Sequence, residues 1–234
     1  EDVPRYISRQ VARDLVRRGP SAKTILDSLR LSVWDKLVPS AERALNSVAR
    51  EVARLSMASV GVGDEDRRSA LARDNARKWA TDRASEMVGL HRRDDNEIVL
   101  DRRPDMSIAA TTAVMLSGVV GEAIQKQWPE PMVRAKLADE YALSEDRASL
   151  ISKTEVGIAA GIAATLAYKA SGIVIGKRWV TKRDNRVEVH CRVNEMAGVI
   201  PLDQAFPSGH LRPLAHPRCR CKLAAVIDDG IMER

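Results

Sequence analysis

The residues of this chain with the most chemistry to offer gather towards its C-terminal end: His216, Cys219 and Cys221 in the run His-Pro-Arg-Cys-Arg-Cys, preceded by His190, Cys191 and His210. Thiolate and imidazole donors suit a borderline-soft ion such as Zn²⁺, which takes four of them in a structural site. Cys191, His216, Cys219 and Cys221 make one such set, with His190 as a substitute for Cys191 and His210 in reserve. The usual Cys-x2-Cys half-site is absent, so two other readings stand beside a structural zinc. The thiols can pack a small core while remaining free, or Cys191 can bridge to Cys219 or Cys221. Three cysteines are an odd number and too few for a disulfide scaffold, which points to a reducing compartment. A hydrolytic metal centre built on His190, His210 and His216 would need an open coordination position and a general base. Glu195 and Asp203 are the acids offered for that task, and neither has a spacing that favours it.

Other reactive residues read more simply. Glu155 follows Thr154 on an otherwise apolar segment, so burial would require a partner such as Arg147 or a cation from further along the chain. As a catalytic acid it lacks a second carboxylate or His at useful spacing. Trp179 sits among Lys177, Arg178, Lys182 and Arg183 and either stacks on a nucleic-acid base or forms the core of a small β module. Gly157 and Gly161 follow no strand, so they mark close helix packing and not a phosphate loop.

These residues need elements to position them. Ile7, Val11 and Leu15, then Val33, Leu37, Leu45, Val48, Val52 and Leu55, recur at helical spacing. Gly19-Pro20-Ser21 breaks the first run, and Ser21 caps a helix through Ile25, Leu26 and Leu29. Residues 65 to 90 predict a charged surface helix anchored by Leu71, Trp79, Met87 and Val88, and His91 to Asp105 reads as a loop. Ser107 caps a helix running to Gln127, Trp128-Pro129-Glu130-Pro131 closes it, and a short helix covers Met132 to Tyr141. Ser144 then caps a long helix, with Glu145 and Asp146 in its first turn and an end near Ser171-Gly172. Beyond Gly172 the β-formers Ile173 to Ile175, Trp179 to Thr181, Val187 to Val189 and Leu223 to Ile227 predict short strands, with a turn at Asp184-Asn185.

Aromatics supply only 3% of the chain, so Ala, Val, Leu and Ile must do the packing, through closely approaching helices. No uncharged apolar run reaches the length of a membrane span, Met106 to Gly121 and Val156 to Tyr168 being the longest. The chain opens on Glu1 without an initiator Met or a secretory pattern, which reads as a fragment or a processed product. Residues 171 to 222 carry ten Lys and Arg against four Asp and Glu, which equals the whole surplus of +6. That local excess suits either a solvated face or an acidic partner, nucleic acid or an electronegative protein. Lys177, Arg178, Lys182, Arg183 and Arg186 are the expected contact set.

With the elements placed, the second half shows an order of motifs: Leu-Ser-Glu-Asp-Arg-Ala-Ser-Leu-Ile-Ser-Lys-Thr-Glu-Val at 143–156, Lys-Arg-Trp-Val-Thr-Lys-Arg-Asp-Asn-Arg-Val-Glu-Val-His-Cys at 177–191, Gly198, and His-Pro-Arg-Cys-Arg-Cys at 216–221. The set resembles the phage head morphogenesis family typified by the Mu F protein and the SPP1 minor head protein, over about residues 143 to 223. Two positions depart from that family: Gly161 stands where Asn is expected and Ala197 where Asp is, each implying that a polar contact between the long helix and the β module is lost or replaced. The resemblance implies a non-enzymatic minor capsid protein carried inside the head near the portal vertex and assembled in the host cytoplasm. Its implied partners are the portal, capsid or scaffolding proteins and double-stranded DNA, with no membrane. The expected fold class is α+β: a helical region at 1–142, then a head-morphogenesis domain at 143–234, comprising a long helix at 144–171 and a basic β module at 172–228.

Overall fold

The computed structural model describes residues 37–92, 98–100, 108–140 and 144–227. The segments expected around Ile7 to Val33, with the Ser21 cap, and the Ser107 cap lie outside the described residues. The chain is α+β, with helices in its N-terminal part and a small antiparallel sheet near its C-terminus. Its compact units are not the consecutive blocks expected. One combines Glu1–Arg43 with Asp82–Ser149 and the other Ala44–Thr81 with Leu150–Arg234. The divisions fall inside helices and not in linkers.

Helix α1 spans Val38–Ala58 and α2 spans Arg67–Val88. Asp66 starts α2 by accepting the Arg68 N–H at 2.8 Å. In both helices alanines, more than the large apolar residues, form the buried seam. Ala49, Ala53 and Met57 in α1 and Ala72, Ala76, Ala80 and Ala84 in α2 are fully buried. Of the anchors expected in α2, Val88 is buried while Leu71 is 53% exposed. A seam repeating every fourth residue with the smallest side chain lets packing partners come close, as the aromatic-poor composition requires.

The first unit holds more than helices. The expected loop after His91 contains an antiparallel pair, β1 (Leu90–Arg92) and β2 (Ile98–Leu100), in register Leu90↔Leu100. Each strand is only three residues long, below ordinary strand length, and Leu90-His91-Arg92 offers no apolar run to announce it. Helix α3 (Ile108–Gln125) and helix α4 (Glu130–Ala138) follow, the latter with a Pro in its first turn. Arg147 is buried here and donates to Thr111 Oγ1 at 2.7 Å and Thr112 Oγ1 at 2.9 Å.

Helix α5 (Glu145–Ser171) begins as expected, the Ser144 hydroxyl accepting the Arg147 N–H at 3.2 Å, and ends at Gly172, whose φ of +69° suits glycine. Among the described residues α5 alone is long and apolar enough to cross a membrane, although the sequence has no uncharged run of that length. Its Ala159, Ala163 and Ala167 are fully buried, and so is most of Glu155. Strand β3 (Val174–Val180) is the centre of a sheet ordered β4-β3-β5, with β4 at Val199–Ile200 and β5 at Lys222–Ile227, both antiparallel to it. The strand expected at Val187–Val189 is not formed. Glu188 is extended (φ −70°, ψ 155°) and helix α6 follows at Val189–Met196. Cys191 and Asn194, three residues apart, are its buried residues, a helical spacing that overrides the β preference of the two valines.

Gly157 and Gly161 explain how the module meets α5. A Cβ on Gly157 would stand 2.5 Å from Leu214 Cδ1, and one on Gly161 would fall under 3.0 Å from the Pro213 carbonyl oxygen. Backbone therefore occupies the place where the resemblance suggests an Asn side chain. Ala197 likewise packs against the apolar core of the module.

Candidate metal centre

The module closes around Trp179, Val187, Cys191, Ile200 and Phe206, with Cys219, Cys221 and Leu223 packed against them. Trp179 is 1% exposed and meets Phe206 edge to face, ring centres 5.1 Å apart. It is core and offers no face to a base. The pairing Trp179↔Leu223 brings the end of β3 beside the Cys-x-Cys segment, while α6 delivers Cys191 from the other side. Strand and helix thus bring together residues almost 30 positions apart in the sequence.

The structure brings the four residues expected as metal ligands into two overlapping groups that share Cys191. Cys191 Sγ lies 3.4 Å from His216 Nε2 and 3.8 Å from Cys219 Sγ. The sulfurs of Cys191, Cys219 and Cys221 all stand within 4.8 Å of one another, and Cys191 forms a second such group with His190 and His216. All three cysteines are free, so the bridge weighed from the sequence is not formed. His216 Nδ1 faces two acceptors, the Pro217 carbonyl at 2.9 Å and Glu188 Oε1 at 3.4 Å. Because a carbonyl only accepts, Nδ1 carries the hydrogen and the Nε2 lone pair is turned towards the thiols.

Burial pushes the Cys191 thiol up, with Cys219 and Cys221 adding to the shift, and burial also raises Cys221. The buried indole N–H of Trp179, which makes no ordinary hydrogen bond among the described residues, is near enough to the Cys221 sulfur to favour its thiolate. Burial and its two neighbouring thiols thus oppose ionisation of Cys191. A divalent cation would reverse that balance.

His210 is elsewhere: its Nδ1 engages Ser208 Oγ at 3.0 Å, and Ser208 is held in turn by Asn194. His190 stands at the edge of the cluster, its ring 5.1 Å from that of His216 and its Nε2 3.7 Å from Glu188 Oε2. The two acids considered as general bases are engaged by other groups. Glu195 accepts from Thr181 Oγ1 at 2.7 Å and Arg183 Nε at 3.3 Å, which hold its carboxyl below the usual range. Asp203 pairs with Lys169. Glu188 is the acid beside the histidines. The sequence reading passed over it because its place depends on α6 starting at Val189.

The expected contact set divides. Lys177 is fully buried, donating to the carbonyls of Leu202 and Leu211, both at 2.7 Å, with its ammonium 5.3 Å from the centre of the Phe206 ring. Burial, then the Arg212 charge, pushes its pKa down. It holds two loop carbonyls and faces no partner, a correction that follows from strand alternation: Lys177 stands two residues from Trp179 and shares its buried face, while Arg178 between them is exposed. Arg178, Lys182, Arg183 and Arg186 are exposed, and Arg183 is paired with Glu195. Lys182, Arg186, Arg218 and Arg220 line a small cavity over the thiols, and Arg220 is bound to Asp184 by two bonds of 2.7 Å. Arg218 and Arg220 were the cations missed, because they approach Lys182 only once β3 and the Cys-x-Cys segment are adjacent. No protein-family model, curated protein or solved structure matches this chain.

Proposed function

We propose that this protein is a minor head protein of a tailed phage that docks beside the portal inside the capsid and assists head assembly and DNA packaging or delivery, without catalysing a reaction. The observation that supports the reading is the way the motif segments behind the resemblance come together. The helix carrying Thr154-Glu155, the strand carrying Trp179, the turn at Gly198 (φ +69°) and the His-Pro-Arg-Cys-Arg-Cys segment belong to one compact unit. Glu195 and Asp203, the two acids the sequence offered as general bases, are both paired away from the His/Cys cluster, and Glu188, the acid beside it, contacts the His216 and His190 rings.

A second reading, a sequence-independent DNA-binding virion protein, is favoured by the exposed cations. Arg178, Lys182, Arg186 and Arg218 make no ion pair with a described residue, which suits phosphate contact. Co-sedimentation of the full chain with its cognate portal ring, with and without DNA, separates the two. Binding in fixed stoichiometry without DNA supports portal docking. Binding only when DNA is present replaces it with the DNA-binding reading, and metal-dependent cleavage of DNA lost in His216→Ala would overturn both.

A further inference from the structure

We infer that the C-terminal module binds one structural Zn²⁺ through the Sγ atoms of Cys191, Cys219 and Cys221 and through Nε2 of His216. The centre does not depend on the phage-head reading, since a docking protein could carry out its role without a metal.

The distances already approach those a tetrahedral ion imposes. With Zn–S about 2.3 Å and Zn–N about 2.0–2.1 Å, neighbouring ligand atoms stand about 3.8 Å apart for two sulfurs and about 3.6 Å for sulfur and nitrogen. Cys191 Sγ to Cys219 Sγ is 3.8 Å and Cys191 Sγ to His216 Nε2 is 3.4 Å. Cys221 has its sulfur within 4.8 Å of the other two, and His216 joins the set through Cys191, so closing the tetrahedron requires the ring to move towards Cys219 and Cys221 as the ligands contract about the ion. The outer contacts are also in place. The Pro217 carbonyl and Glu188 fix the His216 tautomer that presents Nε2, as ligating histidines require. The buried indole N–H of Trp179 is left without a partner, and a thiolate at Cys221 would supply one.

Charge and space select the kind of site. Three thiolates and a neutral imidazole around Zn²⁺ carry a net charge of −1, which Lys182, Arg186 and Arg218 around the cavity offset together with that of Glu188, Arg220 being paired with Asp184. Binding releases three thiol protons to solvent. The cavity over the thiols is small and has room for one ion or water beside the sulfurs. With four protein ligands and no open position, the ion is structural.

The test uses the metal-stripped full chain titrated first with Co²⁺ and then with Zn²⁺. The expected result is one ion per chain, the visible bands of tetrahedral cobalt, a sulfur-to-cobalt charge-transfer band of three-thiolate intensity, and displacement of cobalt by zinc. Cys219→Ser weakens binding by more than the roughly 10- to 100-fold typical of outer-shell partners. His216→Cys keeps the ion four-coordinate and raises the charge-transfer intensity by about a third, as expected for a fourth sulfur ligand. His210→Ala leaves the spectrum unchanged. Absence of a stoichiometric charge-transfer band, an octahedral cobalt spectrum, or a His216→Cys spectrum identical to that of the unsubstituted chain would overturn the proposal. So would loss of binding in His190→Ala together with its retention in His216→Ala.

Discussion

Changing glycine to alanine inside a helix should act with opposite sign at two places in this chain. The intrinsic gain is about 1 kcal/mol at a helix interior position. At Gly118 in α3 nothing lies within 4 Å of the added methyl, so the gain is realised in full and Gly118→Ala stabilises its unit by about 1 kcal/mol. At Gly161 in α5 the methyl would fall under 3.0 Å from the Pro213 carbonyl oxygen, a backbone atom that cannot swing aside. The segment carrying it is also tethered, because Lys177 holds the neighbouring Leu211 carbonyl at 2.7 Å. Overpacking of this kind costs about 1–3 kcal/mol, and a tethered backbone places it near the upper end. The net expectation for Gly161→Ala is a loss of about 2 kcal/mol. Native-state hydrogen exchange of the α3 and α5 amides reads each site locally. Protection should rise about fivefold in α3 for Gly118→Ala and fall about 30-fold in α5 for Gly161→Ala. Equal stabilisation at both positions would refute the packing of residues 212–214 against α5. Gly161→Asn, the residue the family resemblance suggests, should be worse than alanine for the same reason.

Three further outcomes follow from the geometry. Burial lowers the Lys177 pKa from its ordinary 10.5, so between the folded and unfolded values the unfolded chain binds the extra proton and stability rises with pH. Urea midpoints measured across alkaline pH should show this rise in wild type relative to Lys177→Met; identical pH profiles would contradict it. The comparison is needed because Cys191 acts oppositely, its raised pKa favouring the unfolded chain as pH climbs past 9. Asp184, bound twice by Arg220, is held at about 2, so the pair's contribution is complete above the ordinary carboxyl value and fades as pH falls through about 2. NMR titration of its carboxyl carbon should give that low value, and Arg220→Ala should return it towards 3.8. If the basic face meets DNA, replacing Lys182, Arg186 and Arg218 together by Ala should flatten the slope of log affinity against log salt by ~2.7, at ~0.9 per phosphate contact. An unchanged slope would place any DNA contact elsewhere.

Much of the scaffold was legible in the sequence because it depends on local signals. The Ser144 cap, the acidic first turn and the Gly172 stop bounded α5 to within a residue or two, since capping is decided by neighbours in the chain. The strands at Trp179 and Leu223–Ile227 were found the same way, from runs of β-forming residues. The failures share a cause. Val187–Val189 carry a strand preference, but α6 forms there because Cys191 and Asn194 must be buried together. Large apolar residues were expected to anchor α2, where the seam instead went to alanines, whose burial leaves no trace in hydropathy.

The sequence by itself determined the α+β class, the limits of the long helix, the concentration of positive charge near the C-terminus and the presence of all three cysteines and three of the histidines in that same stretch. Only the tertiary structure decided that Lys177 is buried under two carbonyls while Arg218 and Arg220 join the basic face, that Glu188 orients His216, and that Gly161 receives backbone from the module. The physical reason is that donor chemistry, capping and charge belong to single residues or short runs. Burial, facing and close approach are set by which distant segment arrives opposite, and that is fixed when β3, α6 and the Cys-x-Cys segment pack together.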